Sequence, residues 1–332
     1  MIAAAGLDRL IGDPLWAPHP VVWMGRCIST LQRTVEAWSG DHPHWLRLGG
    51  VGITLVLTIG SAAAGWLIER VALQTQGVLQ VIAGLALLAG LASALAAKSL
   101  EQSVQSVLTA VPCEGEGDLS AAREQLSWIV GRDTKSLSRN EILRATAETA
   151  SENAVDGLFA PLFWMLVGAS LWSSGFTTAP GPLALAWGFK AASTLDSMLG
   201  YRIGTLRWLG TAGARLDDLL TWLPCRLVML TLPLVSRSWL QWPALVSSAE
   251  SEGRHDASPN AGRSEAIYAH CAGVQLGGRN RYGDRWVDKP LLGGDYSQAD
   301  PKAVSRILKL TQRLELLWVL IAACLSWLQG RI

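Results

Sequence analysis

LGGVGITLVLTIGSAAAGWLI (residues 48–68) and VALQTQGVLQVIAGLALLAGLASALAA (residues 71–97) are 21 and 27 residues long and contain no charged side chain. A helix needs roughly 20 predominantly apolar residues to cross about 30 Å of hydrocarbon, and both runs meet that length. Only Glu69 and Arg70 separate them. The pair reads as a tight transmembrane hairpin turning at those two charges, with a buried hairpin of a soluble protein as the competing reading. The second run carries Ala86, Gly90 and Ala94 at four-residue spacing, a small-residue face that lets helices approach closely.

Composition points the same way. The 332-residue chain is 50% apolar and only 17% charged, below the roughly 25% charged of a soluble domain. Sixteen of its 24 aromatic residues are Trp, the ring favoured at membrane–water interfaces. With 28 Lys+Arg against 27 Asp+Glu it lacks the basic excess of a nucleic-acid binder. Five cysteines, scattered without a CxxC pair, frame neither a disulfide scaffold nor a zinc site. The N-terminal apolar run is too short for a signal-peptide core, and Pro14 soon breaks it.

Working outward, Gly157–Phe189 is free of charge for 33 residues but contains GFTTAPGP at residues 175–182, which is turn chemistry. We expect a span near 158–174 and a return helix near 183–200 that carries Lys190 and Asp196 and so faces protein or water. Residues 219–249 are apolar but hold Arg226, Arg237 and three prolines, which suits a short hairpin; residues 316–328 are a last apolar segment. The expectation is an all-α, multi-spanning integral membrane protein. It would form one membrane-embedded domain over residues 1–332, with polar segments at 1–47, 98–156, 201–218 and 250–315. The stretches 1–47, 98–156, 190–218 and 250–315 hold 24 of the 28 basic residues and 26 of the 27 acids. The positive-inside rule makes that face cytoplasmic.

Within the polar stretches, Ser138 followed by Glu141 forms a capping box, so a helix should begin at Arg139. Along it Glu141, Arg144, Glu148, Glu152 and Asp156 recur every three or four residues and make one polar stripe. Glu148, Glu152 and Asp156 stack without intervening bases, and such like charges repel unless a cation covers them. A magnesium ion and a basic partner are both consistent with that, as is a solvated face. Arg132, Lys135 and Arg139 precede the helix, where bases and a helix N-terminus favour phosphate. Lys190, Asp196, Tyr201 and Arg202 lie in an apolar neighbourhood, and Arg215, Asp217 and Asp218 precede the next apolar run. Ser258, Asn260 and Gly262 fall in a turn whose successive N–H groups suit an anion; Gly277-Gly278 should close the helix that follows, and the region to Pro301 reads as loop. No GxxxxGK[ST], HExxH or GxSxG is present, which disfavours a Walker-type ATPase, a zincin and an α/β-hydrolase.

GDPLWAPHPVVWMGR (residues 12–26), GRDTKSLSRNEILRATAETASENAVDGLFAPLFW (131–164), KAASTLDSMLGYR (190–202), ARLDDLLTWLPCR (214–226) and HDASPNAGRSEA (255–266) followed by LGG (276–278) resemble, in order, the CobD/CbiB family of cobalamin biosynthesis. The resemblance implies a multi-pass protein of the bacterial inner membrane. Its implied activity is adenosylcobinamide-phosphate synthase, which joins adenosylcobyric acid to (R)-1-amino-2-propanol or its O-phosphate with ATP and Mg²⁺. It also implies association with membrane lipid, with a second copy or with other enzymes of the pathway. On that reading Glu148, Glu152, Asp156, Asp196 and Asp217 are candidate catalytic groups. Glu148, Glu152, Asp156 and Asp218 are candidate Mg²⁺ ligands. Arg132, Lys135, Arg144, Asn153, Lys190, Tyr201, Arg202, Arg215, Ser258, Asn260 and Gly262 are candidates for substrate and phosphate, and Trp16 or Trp23 for a wall of the corrinoid cleft. An AmpE-like membrane sensor is the non-enzymatic alternative.

Overall fold

The computed structural model describes residues 1–13, 19–112, 117–236, 239–282 and 285–329. The protein is an all-α membrane protein with one small sheet. Among the described residues, four helical stretches are long and apolar enough to cross a membrane: Pro43–Gln74, Gly77–Ala110, Arg139–Ser173 and Thr211–Val235. In the first, only 22% of the most apolar window is buried, so most of its apolar surface faces outward. That is the signature of a helix whose solvent is lipid.

Contacts divide the chain into two compact units, each discontinuous in sequence. The first comprises Met1–Ala96, Asp156–Thr221 and Ile321–Ile332. It contains α1 (Ile2–Ile11), α2 (Pro20–Ser39), α3 (Pro43–Gln74) and α4 (Gly77–Ala92), then α8 (Ala160–Ser173), α9 (Pro182–Leu199), the short α10 (Leu206–Leu209) and the start of α11 (Thr211–Thr231). Its core is Met24, Ile28, Leu46, Ile53, Leu57, Ala191, Leu195, Leu199 and Leu209, drawn from α2, α3, α9 and α10. Gly65 lets α3 touch the first turn of α9: a Cβ there would lie 2.9 Å from both the N and the Cα of Ala184.

The turn at Glu69-Arg70 is a correction. Helix α3 runs through both residues to Gln74, and the chain reverses at Thr75 and Gln76 before α4. Backbone amides meet Glu69, while Arg70, whose Nε and Nη2 have no hydrogen-bond partner among the described residues, rests on aromatic rings. The fully buried Glu69 carboxylate accepts from the backbone N–H of Gly181 (2.9 Å), Leu183 (2.6 Å) and Ala184 (3.2 Å). Pro182 has no N–H, so these are the amides that the start of α9 leaves open. The Arg70 guanidinium lies over the rings of Trp66 and Trp172, each at 5.7 Å.

Residues 219–249 do not form two crossings. Helix α11 is continuous through Pro224 and passes into a 3-10 turn, Leu232–Val235. The following α12 (Trp242–Gly253) has 12 residues, a rise of about 18 Å, too short to cross. Pro224 cannot bond the carbonyl one turn back. The Trp164 indole N–H donates to that carbonyl, Leu220 O, at 3.1 Å.

The second unit comprises Ala97–Val155 and Trp222–Leu320. It holds α5 (Ala97–Ala110), α6 (Ser120–Ser127), α7 (Arg139–Ala154), α12, α13 (Ala261–Ala272) and most of α14 (Pro301–Gln329), whose last turns contain the apolar segment 316–328. The region expected to be a loop from Gly277 to Pro301 is instead largely an antiparallel hairpin, β1 (Leu276–Tyr282) with β2 (Arg285–Leu292). Helix α13 ends earlier, at Gly273, whose φ of 63° is left-handed. The register pairs Gly277 with Leu291 and Gly278 with Lys289, so Pro290 is the extra residue of a bulge. Proline, lacking a ladder donor, is tolerated there.

Replacing Glu69 with Ala should strand three buried N–H groups and cost about 2–3 kcal/mol. Melting of the detergent-solubilised protein checks this. Glu69→Ala should melt well below Glu69→Gln, which keeps one acceptor oxygen, and an Ala variant melting like the parent would rule out the capping role.

Candidate functional site: a buried network of carboxylates and cations

Helix α7 begins as its sequence dictates. Ser138 accepts from Glu141 N–H, and the Glu141 side chain accepts from Ser138 N–H at 2.8 Å. The helix then buries most of its length, including a stripe position: Glu148 is 4% exposed. Its Oε2 accepts from Arg132 Nη2 at 2.5 Å, and its Oε1 from Gly277 N–H at 2.9 Å. Arg144, one turn earlier, has its Nε 3.8 Å from the same Oε1. The Arg144 guanidinium mainly grips β1, donating to the carbonyls of Gly277 and Arg279 and to Asn280 Oδ1. Gly277 and Gly278 make this approach feasible. Both have positive φ (79° and 86°), and a Cβ on Gly278 would lie 2.9 Å from Arg144 Nη1.

A second group centres on Lys289, on β2. Its Nζ is 3.1 Å from Glu265 Oε1 and 3.5 Å from Asp256 Oδ2. Burial disfavours the ammonium, but Glu265, Glu152, Asp256 and Glu148 together outweigh it and hold Lys289 above the ordinary lysine range. Glu265, on α13, is 1% exposed. Burial pushes its carboxyl up to about 8; Lys289 opposes this, while Glu148 and Glu152 add to it. Among the described residues its Oε2 has no hydrogen-bond partner, nor has the buried Asn280 Nδ2. The cluster thus holds a cation, a ring of carboxylates and a proton-retaining acid away from bulk water. Such a group can balance a developing charge or take up a proton.

The stripe expected to face a single cation is shared between the units. Glu148 and Glu152 belong with Lys289. Asp156 begins the returning part of the first unit, inside a π-helical turn, Val155–Phe159, that joins α7 to α8. There Lys190, on α9, lies in the field of Asp156, Asp13, Asp217 and Asp8. Asp13 also bonds His19 Nε2 at 3.0 Å, and His19 Nδ1 caps α2. Tyr201, Arg202, Arg215 and Asp218 line a separate cavity of about 650 Å³ between the end of α9 and the start of α11. Asp196 precedes it by one turn and accepts Gly200 N–H through its carbonyl. Trp23 lines an apolar groove of about 770 Å³ between α2, α3 and α9. Trp16 lies outside the described residues.

Other expected residues have local duties. Lys135 and Asn153 are exposed. The Ser258 hydroxyl accepts from the amides of Asn260 and Ala261, and Ser258 N–H donates to Asp256, so the turn's amides are engaged within it. Asn260 Oδ1 and the Pro259 carbonyl accept from Arg226. Gly262 packs against the helix end at Gly253, where a Cβ would meet the Gly253 carbonyl at 2.6 Å. Sequence reasoning missed Asp256, Glu265 and Lys289. The first two stand inside the His255–Ala266 block, so closer attention to its acids would have reached them. Lys289 gives no local signal, because only the hairpin register brings it to the cluster.

These carboxylates do not fit a magnesium cage. Among the described residues no group of three or more His, Cys, Asp and Glu is arranged to hold a metal ion. The oxygens of Glu148 are taken by Arg132, Arg144 and Gly277.

The family model for CobD/Cbib proteins matches residues 1–311. A cobalamin biosynthesis protein CobD of Synechocystis sp. is 44% identical, covering 87% of this chain and 80% of its own length. CobD of Geobacter metallireducens is 38% identical and CbiB of Salmonella arizonae 36%, each covering 98% of this chain and 96% of the relative. No solved structure matches. With its order of blocks, its apolar helices and this match across nearly the whole length, the chain belongs to the CobD/CbiB family of cobalamin biosynthesis proteins.

Proposed function

We propose that the protein is an adenosylcobinamide-phosphate synthase, an ATP-dependent amide ligase. It would join a propionate carboxyl of adenosylcobyric acid to the amine of (R)-1-amino-2-propanol or its O-phosphate. Family membership supports a place in cobalamin synthesis, through relatives named as cobalamin biosynthesis proteins. The observation that carries the chemical part is the buried network of Glu148, Arg132, Glu265 and Lys289.

A carboxylate is a poor acyl donor in water. Transfer of the terminal phosphoryl group of ATP to a carboxylate oxygen releases ADP and creates a good leaving group. The amine nitrogen then attacks the acyl carbon, the C–O bond breaks, inorganic phosphate departs, and the nitrogen loses a proton. Glu265, with its Oε2 unengaged, can take up that proton in its ionised form, which predominates only above about pH 8. Arg132 and Lys289 offset the carboxylates around it. Magnesium would arrive as the metal complex of ATP. The proposed location is the bacterial inner membrane with the reacting face cytoplasmic, in keeping with 24 of 28 basic residues in four polar stretches.

Purified protein in detergent, given adenosylcobyric acid, aminopropanol O-phosphate, ATP and Mg²⁺, should yield a corrinoid with the mass of the amide, and none without ATP. Absence of product from folded protein with each amino alcohol in turn would overturn the ligase reading. Glu148→Gln should lower turnover by about 100-fold. Glu152→Gln and Asp156→Asn should also lose activity, and near-parental rates in all three would sink the carboxylate assignment. Glu265 also makes a pH prediction. Its folded value is raised from 4.5 to about 8, so its contribution to stability is full below 4.5 and lost as pH rises to about 8. A melting temperature that falls across this window in the parent should fall less in Glu265→Gln; identical slopes would show that Glu265 holds no extra proton.

A further inference from the structure

The apolar groove of about 770 Å³ in the first unit runs between α2, α3 and the Trp187 side of α9. Trp23 and Met24 stand on one side of it and Val56 and Leu57 on the other. Gly60 and Ala64, on the exposed side of α3, leave the space that larger side chains would take. A Cβ added at Gly60 would meet nothing within 4 Å, so packing inside the chain does not require a glycine there. The groove opens onto the outward-facing apolar surface of α3, to which the exposed Val56 belongs. Such walls offer water no hydrogen bonds, and a void among them forfeits dispersion contacts. In a bilayer a hydrocarbon chain supplies those contacts.

The charge along the groove is one-sided. Among the described residues that line it, Arg26 is the one basic side chain, and there is no acid. Arg26 rests over the Trp23 ring at 5.2 Å. That pairing suits a membrane–water boundary, where the ring and the arginine stem stay in apolar surroundings and the guanidinium reaches polar groups. Beyond Arg26 the exposed side of α2 turns polar, with Thr30, Arg33 and Thr34. Helix α3 has 32 residues, a rise of about 48 Å. It outruns the roughly 30 Å of hydrocarbon, so part of it stands outside the core beside α2. The groove therefore joins a lipid-facing surface to a cation at its edge. Lipid tails are as apolar as Leu, so moving one from the bilayer into the groove gains little by itself. Selection falls to the headgroup, and Arg26 favours a negative one.

We propose that this groove holds one acyl chain of an anionic phospholipid, lying over Gly60 and Ala64 with its headgroup at Arg26. Trp23 then serves a lipid and not the corrinoid. The site is read without turnover and so stands apart from the ligase reading.

The test uses the full chain in detergent micelles, supplied with phosphatidylglycerol or with phosphatidylcholine of the same chain length. Native mass spectrometry counts the lipid retained. The parent should keep one phosphatidylglycerol, with a preference of about fivefold over phosphatidylcholine. Gly60→Leu should fill the groove and weaken retention of both lipids about tenfold. Gly52→Leu, on the same helix and also with open space around its Cβ, should match the parent. Arg26→Gln should keep a lipid and lose the preference. Melting temperatures of the variants separate loss of the site from loss of the fold. Unchanged retention in folded Gly60→Leu, or a preference that survives Arg26→Gln, would overturn the proposal. Cys27, exposed and lining the groove, reports on other occupants. Phosphatidylglycerol should slow maleimide labelling of Cys27, read on its peptide. Protection by adenosylcobyric acid and not by the lipid would give the groove to the corrinoid. A dimer that forms without lipid and is lost in Gly60→Leu would give it to a second copy. Either outcome would overturn the lipid site.

Discussion

A carboxylate taken out of water must be met by donors, and both units are arranged around that requirement. In the first, Glu69 is met by backbone amides at the start of α9, the helix that carries Lys190. In the second, Glu148 is met by Arg132 and by an amide of β1, which ties α7 to the hairpin. Neither partnership is a simple pair of surface charges. Each joins segments more than 100 residues apart in sequence, except for the Arg132 bond, which closes the loop leading into α7. Removing one member would leave the other buried and uncompensated, which is far costlier than never having placed it there.

The second unit takes this further by burying more carboxylates than it has nearby cations to match. The surrounding acids hold Lys289 charged, while burial, with Glu148 and Glu152 adding to it, raises the Glu265 carboxyl to about 8 against the opposing pull of Lys289. Glu265 is thereby poised to exchange a proton near neutrality, which an exposed glutamate could not do. The first unit shows the opposite imbalance at the end of α9, where arginines outnumber acids around open space.

Much of the architecture is legible from local sequence. The lengths of the apolar runs locate the membrane-length helices, and Ser138 with Glu141 locates the start of α7, because span length and capping are short-range properties. What fails to show is long-range. Glu69 and Arg70 look like a solvated turn until the amides of residues 181–184 and the rings of Trp66 and Trp172 are seen against them. Gly277 and Gly278 look like a helix terminator, yet they are the thin part of a strand. Glu148 and Glu152 stand out by spacing on α7, but Lys289 is recognisable only once β2 is registered against β1.

The grip of Arg144 on β1 has one more implication. Of its three partners on that strand, two are backbone carbonyls, and the contact from Glu148 is to a backbone amide. Arg144 and Glu148 thus hold the hairpin mostly by its backbone path, with Asn280 and Lys289 adding side-chain contacts from within it. Trp286, Val287 and Leu291 on its outer surface are exposed and take no part in the attachment. Substitutions there can alter what the hairpin presents to its surroundings while the buried network behind it keeps its geometry. The strand thus works as a fixed mount carrying an exchangeable surface.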